Sequence, residues 1–159
     1  MSAFKLPEQS QGLLTHLPVP IAGNICYEIA YPQLVAQQAK EAQVILTVSN
    51  DTWFEHSLAP WQHLQMAQVR ALENAKPVVR ATNSGVSALI NHKGQITHLA
   101  PMYQQAQLTG LVTPMQGNTP YNMGHNWPIT LLSLGLILLG FRFRFCRNFT
   151  RLFPHRFKT

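Results

Sequence analysis

Fifteen consecutive residues without a charge, 127–141 (WPITLLSLGLILLGF), constrain this chain more than any other feature. A solvated loop cannot carry such a run. It must be covered as a core helix, lie on a surface as an amphipathic helix, or enter a membrane. Spanning a bilayer takes roughly 20 residues. Extension through Phe145 reaches nineteen and takes in Arg142 and Arg144, whose long stems can snorkel to a headgroup layer. Trp127 suits the opposite interface. Immediately after comes a basic run, Arg142, Arg144, Arg147, Arg151, Arg156 and Lys158, as expected of a cytoplasmic flank. The segment predicts a transmembrane helix over 127–145, a basic cytoplasmic tail over 146–159, and a body facing away from the cytoplasm.

The same tail explains the net charge of +6. Residues 1–141 hold six basic groups (Lys5, Lys40, Arg70, Lys76, Arg80, Lys93) and six acidic ones (Glu8, Glu28, Glu41, Asp51, Glu55, Glu73). The body is neutral, which excludes a basic nucleic-acid-binding face on it. Two cysteines, Cys26 and Cys146, make no disulfide framework, and no cysteine or histidine spacing fits a zinc site. No metal and no cofactor are expected. No signal peptide is visible at the N-terminus.

Along the body, apolar runs and helical spacing alternate. Strands are predicted over 19–26, 44–48, 78–82, 87–91 and 95–99, with a further strand over 108–113 and a hairpin turn at His92-Lys93-Gly94. Helices are predicted over 32–42, opening with Pro32, and over 60–75, closed by Pro77. This order points to an α/β fold with a mixed sheet. Residues 114–126, rich in Pro, Gly and Asn, read as a linker.

Cys26 falls between a strand and a helix. A nucleophile on such a turn is exposed, and the following helix can favour a thiolate. The plain alternative is a small core residue. Tyr27 and Glu28 follow directly. The segment Ile25-Cys26-Tyr27-Glu28 resembles the nucleophile motif of the nitrilase, or carbon–nitrogen hydrolase, superfamily. More narrowly, Ser49-Asn50-Asp51-Thr52-Trp53-Phe54, then Pro60-Trp61-Gln62-His63 and Met66, is similar to the apolipoprotein N-acyltransferase family. So are Arg70-Ala71-Leu72-Glu73, Pro77, Arg80, Thr82-Asn83-Ser84-Gly85, Thr119-Pro120-Tyr121 and Asn126-Trp127-Pro128.

This resemblance implies a partial nitrilase-like αββα sandwich over 1–113, on the periplasmic side of a bacterial inner membrane, followed by one C-terminal transmembrane helix. It implies an enzyme that takes an acyl chain from a phospholipid onto its own cysteine as a thioester. The acyl group then passes to the N-terminal amine of a diacylglyceryl apolipoprotein. Cys26 is the implied nucleophile, with Tyr27 and Glu28 as functional neighbours. Glu28 is placed to orient the incoming amine, its alternative being a structural salt bridge; Tyr27 can equally be packing. Trp53 and Phe54 are candidates for an acyl groove, or else ordinary core aromatics. Asn50 and Asp51 either position backbone near the nucleophile or simply end a strand. His63 reads as a capping or packing residue, and Arg70 and Glu73 as a helical pair.

The chain departs from the family in two respects. The family triad runs Glu, Lys, Cys, yet only twenty-five residues precede Cys26, and they offer only Lys5 and Glu8, in the reverse order. Glu55 stands where the family usually has glycine. The economical expectation is the C-terminal part of such an enzyme, completed by an N-terminal half. A fragment of a nitrilase-type amidase, or a catalytically silent membrane-anchored remnant, are the alternatives.

Overall fold

A computed structural model describes residues 13–54 and 57–152, with side chains in the final helix described as far as Arg142. Lys5, Glu8, Glu55 and the end of the basic tail lie outside the described residues. Two units are distinguished, residues 1–123 and 124–159.

The first unit holds strands β1 (Ile21–Ile25), β2 (Val44–Asn50), β3 (Val78–Asn83), β4 (Ala88–Ile90) and β5 (Ile96–Leu99). Helix α1 (Pro32–Ala39) follows β1 through a 3-10 turn at Cys26–Ala30, and α2 (Ala59–Asn74) links β2 to β3 after a second such turn at Thr52–Phe54. The five strands form one sheet in sequence order. β1, β2 and β3 run parallel, and β4 and β5 add antiparallel. This is the mixed α/β sheet that the alternating pattern predicts.

Parallel register aligns side chains into rows. Ala22, Ile45, Val78 and Ile90 are successive partners and all are buried. Val35 and Ala39 of α1, and Leu64, Ala67 and Ala71 of α2, close over this row. The alanines let α2 approach the sheet. The next row toward the strand ends is Asn24, Thr47, Arg80 and Ala88, also buried but mostly polar. On the opposite face, Ile25, Val48 and Ala81 align and are exposed, Ile25 at 59%. One face of the sheet is thus packed by helices, and the other presents an open apolar row.

Two details differ from the sequence reading. Residues 108–113 form no strand. The segment instead lies close against β4 and β5, where a Cβ on Gly110 would stand 2.6 Å from the Leu89 side chain; close side-on packing takes the place of ladder hydrogen bonds. Residues 114–123 are fastened along the body. The buried Lys76 donates to the carbonyls of Met115 (2.7 Å) and Gly117 (2.8 Å), and burial lowers its pKa. Thr119 Oγ1 donates to the Glu73 carbonyl at 2.6 Å and accepts from the Asn122 amide, at the start of the short helix α3 (Pro120–Gly124).

The second unit is helix α4 (Trp127–Leu152). Its described apolar side chains, Leu131, Leu132, Leu134, Leu136, Ile137 and Leu138 among them, are exposed on every side. The expected transmembrane helix needs correction. Among the described residues, no helix is long and apolar enough to cross a membrane. The physical reason is length. Fifteen uncharged residues rise about 22 Å, against about 30 Å of hydrocarbon.

Candidate functional site

Three parallel strands end along one edge, with Ile25 beside Val48 and Asn50 beside Asn83. The carboxyl edge of a parallel sheet is where such folds place their chemistry. Cys26 stands there, the first residue after β1, with φ of +53°. That left-handed conformation costs a residue with a Cβ about 1–3 kcal/mol and persists only where its surroundings over-determine it. The surroundings are specific. His63 Nε2 lies 3.1 Å from the Cys26 carbonyl oxygen. The Ile25 amide donates to Glu28 Oε2 at 2.7 Å, closing the turn around the cysteine. Cys26 is half-buried, with Ser49 Oγ 3.7 Å from its sulfur.

Asp51, just past β2, is the hub beneath it and is 1% exposed. Oδ2 accepts from Arg80 Nη2 at 2.6 Å. Oδ1 faces His63 Nδ1 at 3.2 Å and also takes a short hydrogen bond from Ser49 Oγ. Arg80 donates through Nε to the Val86 carbonyl at 3.1 Å. Burial lowers the Arg80 pKa, and the Asp51 carboxylate opposes that. Gly85 completes the enclosure. A Cβ there would overlap the Asp51 carboxylate and stand 2.8 Å from Asp51 Cβ. Gly85→Ala is therefore expected to destabilise the body by about 1–3 kcal/mol, the range for overpacking. Chemical denaturation followed by circular dichroism would measure the loss.

The sequence-predicted residues fall as follows. Glu28 makes a turn-closing hydrogen bond to the Ile25 amide where a salt bridge was the alternative. Tyr27 is exposed, edge-on to Tyr31 at 5.8 Å, with its ring 6.4 Å from that of His63. Trp53 and Phe54 are surface residues on the turn after Asp51, Trp53 being 88% exposed. Their reading as core aromatics is corrected: among the described residues, the three-residue 3-10 turn that carries them leaves both exposed. Arg70 and Glu73 do pair, at 3.2 Å. Burial raises the Glu73 pKa, against the pull of Arg70.

His63 is the residue that sequence reasoning placed least well. Neither cap nor plain packing, it bridges Asp51 and the backbone of Cys26. A signal was present: His63, Ala67, Arg70 and Asn74 all lie on the buried side of α2, so three polar groups share its inner stripe. Both ring nitrogens of His63 face oxygens, Asp51 Oδ1 and the Cys26 carbonyl, and not the thiol. Beside the hub, an open cavity of about 490 Å³ is lined by Thr82, Asn83, Ser84, Gly85, Ser87 and Tyr103 among others, with no charged side chain. Cys26 thus stands on a left-handed backbone over a buried charged network, an arrangement that can serve covalent nucleophilic chemistry.

Residues 6–113 match the carbon-nitrogen hydrolase family. The chain is 50% identical over 139 residues to an apolipoprotein N-acyltransferase of Pseudomonas paraeruginosa, an alignment covering 87% of this chain and 27% of that protein. It is 42% identical over 149 residues to one of Haemophilus influenzae, covering 93% and 28%. The chain thus spans little more than a quarter of these relatives. Among solved structures it is similar to an amidase of the nitrilase superfamily from Nesterenkonia sp. AN1, with a TM-score of 0.50 and 21% identity over 63% of this chain and 40% of that one. A carbon-nitrogen hydrolase from Helicobacter pylori G27 also scores 0.50, at 14% identity, covering 55% and 38%. Fold, match and relatives converge: the chain belongs to the carbon-nitrogen hydrolase family.

Proposed function

We propose that this chain is the nucleophile-bearing part of an apolipoprotein N-acyltransferase and acts in lipoprotein maturation. The observation that carries the reading is Cys26, held at φ +53° on a strand-to-turn junction, within the region of half-identity to enzymes of that name. In the proposed reaction the Cys26 thiolate attacks an ester carbonyl of a phospholipid. The tetrahedral intermediate collapses, the lysophospholipid alkoxide leaves with a proton, and a thioester remains on Cys26. The α-amine of a diacylglyceryl apolipoprotein then attacks that thioester. An amide forms, the sulfur departs as thiolate, and the proton of the amine passes to the base. Glu28 holds the turn through Oε2 and offers Oε1 to orient the amine. Tyr27, exposed beside it, borders the path of the acceptor. Trp53 and Phe54, exposed on the neighbouring turn, take the acyl chain.

The base for the thiol and the cation for the oxyanion come, in this reading, from a further part of the enzyme. The open apolar row of Ile25, Val48 and Ala81 supports this, because an αββα sandwich needs a second sheet on that face. Helix α4, whose described apolar side chains are exposed, is proposed to seat the protein on the bacterial inner membrane, with its body on the periplasmic side. Trapping decides the chemistry. In the completed enzyme, incubation with labelled phospholipid should give an acyl-thioester that maps to Cys26 by mass spectrometry. An adduct on Cys146, or full transfer by Cys26→Ala, would sink the proposal.

A further inference from the structure

The contacts around Cys26 close on themselves. From the sulfur the path runs to Ser49 Oγ (3.7 Å), on to Asp51 Oδ1, across to His63 Nδ1 (3.2 Å), and from His63 Nε2 back to the Cys26 carbonyl (3.1 Å). We propose that Ser49, Asp51 and His63 form a ring that grips Cys26 at both ends, His63 on its carbonyl and Ser49 on its sulfur, and that Ser49 is the positioning residue that aims the thiol. For its catalytic meaning the inference rests on Cys26 being the nucleophile.

Donor counting gives the ring its direction. An ionised carboxylate only accepts hydrogen bonds, and a serine hydroxyl has one proton and two lone pairs. Asp51 is anchored by Arg80 on Oδ2, so the Ser49 proton points to Oδ1. The lone pairs of Ser49 then face the sulfur and accept the thiol proton. When that proton leaves, the Ser49 hydroxyl turns to donate to the thiolate, and only a hydrogen moves. The same side chain thus holds the sulfur in both protonation states. The register neighbour Thr82 does not compete, because its hydroxyl is engaged with Ser87 at 3.2 Å. The titratable and charged groups around the ring are Asp51 after β2, His63 on α2, Arg80 on β3 and Glu28 in the turn. The plain alternative is that Ser49 only braces Asp51 and is indifferent to the sulfur.

The test is alkylation of the intact chain by iodoacetamide across a pH series, read by peptide mass spectrometry, with Cys146 as the internal standard. In Ser49→Ala the thiolate loses its donor. Modification of Cys26 at neutral pH should fall about three- to tenfold, with the profile displaced to higher pH. Ser49→Thr, which keeps the hydroxyl, should return to within about twofold of the parent. Superposable profiles for Ser49→Ala and the parent, or equal displacement in the Ala and Thr variants, overturn the proposal. A second measurement needs no change at Ser49. The S–H stretching band of Cys26, assigned by difference infrared against Cys26→Ala, should lie at the position of a hydrogen-bonded donor; a free-thiol band overturns the proposal. Both read the sulfur alone, so they stand apart from acyl transfer. Full transfer by Cys26→Ala in the completed enzyme would remove the nucleophile reading and leave the ring measurable.

Discussion

Arg80→Ala should lower the stability of the body by about 3–5 kcal/mol, the cost of leaving one partner of a buried ion pair uncompensated. Both side chains of the Arg80–Asp51 pair are fully buried. Removing the guanidinium strands the Asp51 carboxylate with only Ser49 and His63, and it also deletes the donor to the Val86 carbonyl. A domain of this size is typically stable by about 5–15 kcal/mol, so the loss takes a large share. Arg80→Lys keeps the charge but not the two-pronged geometry, and should cost about 1–3 kcal/mol through the unsatisfied carbonyl. The paired change Arg80→Met with Asp51→Asn removes both charges and should recover part of the loss. Urea denaturation of the four proteins checks the series. Equal stability of Arg80→Ala and the parent would mean that the hub does not hold the strand ends together.

What was legible in the sequence was whatever depends on local pattern. The continuous apolar run at the start of β2, the spacing of Leu64, Ala67 and Ala71 on α2, and the turn at Gly94 each specify their own element, and the structure has all three. The place of Cys26 at the end of β1 was legible because the apolar run before it specifies the strand. The hub as a unit was not. Asp51, His63 and Arg80 are separated by twelve and seventeen residues; Asp51 alone reads as a strand end or a backbone-positioning residue, His63 as a cap or packing residue, and Arg80 has no role of its own. Only the parallel register, which sets Thr47 beside Arg80 and Asn50 beside Asn83, brings them under Cys26. Trp53 and Phe54 were misjudged in the opposite direction. Aromatic side chains suggest burial, but the three-residue turn that carries them projects from the sheet edge.

The same geometry predicts that this chain, incubated alone with labelled phospholipid and a diacylated lipopeptide in micelles, forms no thioester and transfers no acyl group. An ordinary thiol is only a few per cent thiolate at neutral pH, so attack needs a positioned base. Among the described residues, both nitrogens of His63 face oxygens and Glu28 Oε2 is turned to the Ile25 amide, and neither residue is hydrogen-bonded to the thiol. A general base contributes about 10²–10⁴ in rate, and an oxyanion donor about 10²–10³. Without either, acylation should run slower than in the completed enzyme by at least about 10⁴. The open row of Ile25, Val48 and Ala81 adds a structural consequence. An uncovered apolar sheet face invites association, so the isolated chain should self-associate as its concentration rises. Supplying the further part of the enzyme in trans should suppress that association and give the thioester. Mass spectrometry of protein and peptide decides: acyl transfer by the isolated chain that vanishes in Cys26→Ala would show that it carries its own base, and the division of labour proposed for this enzyme would be wrong.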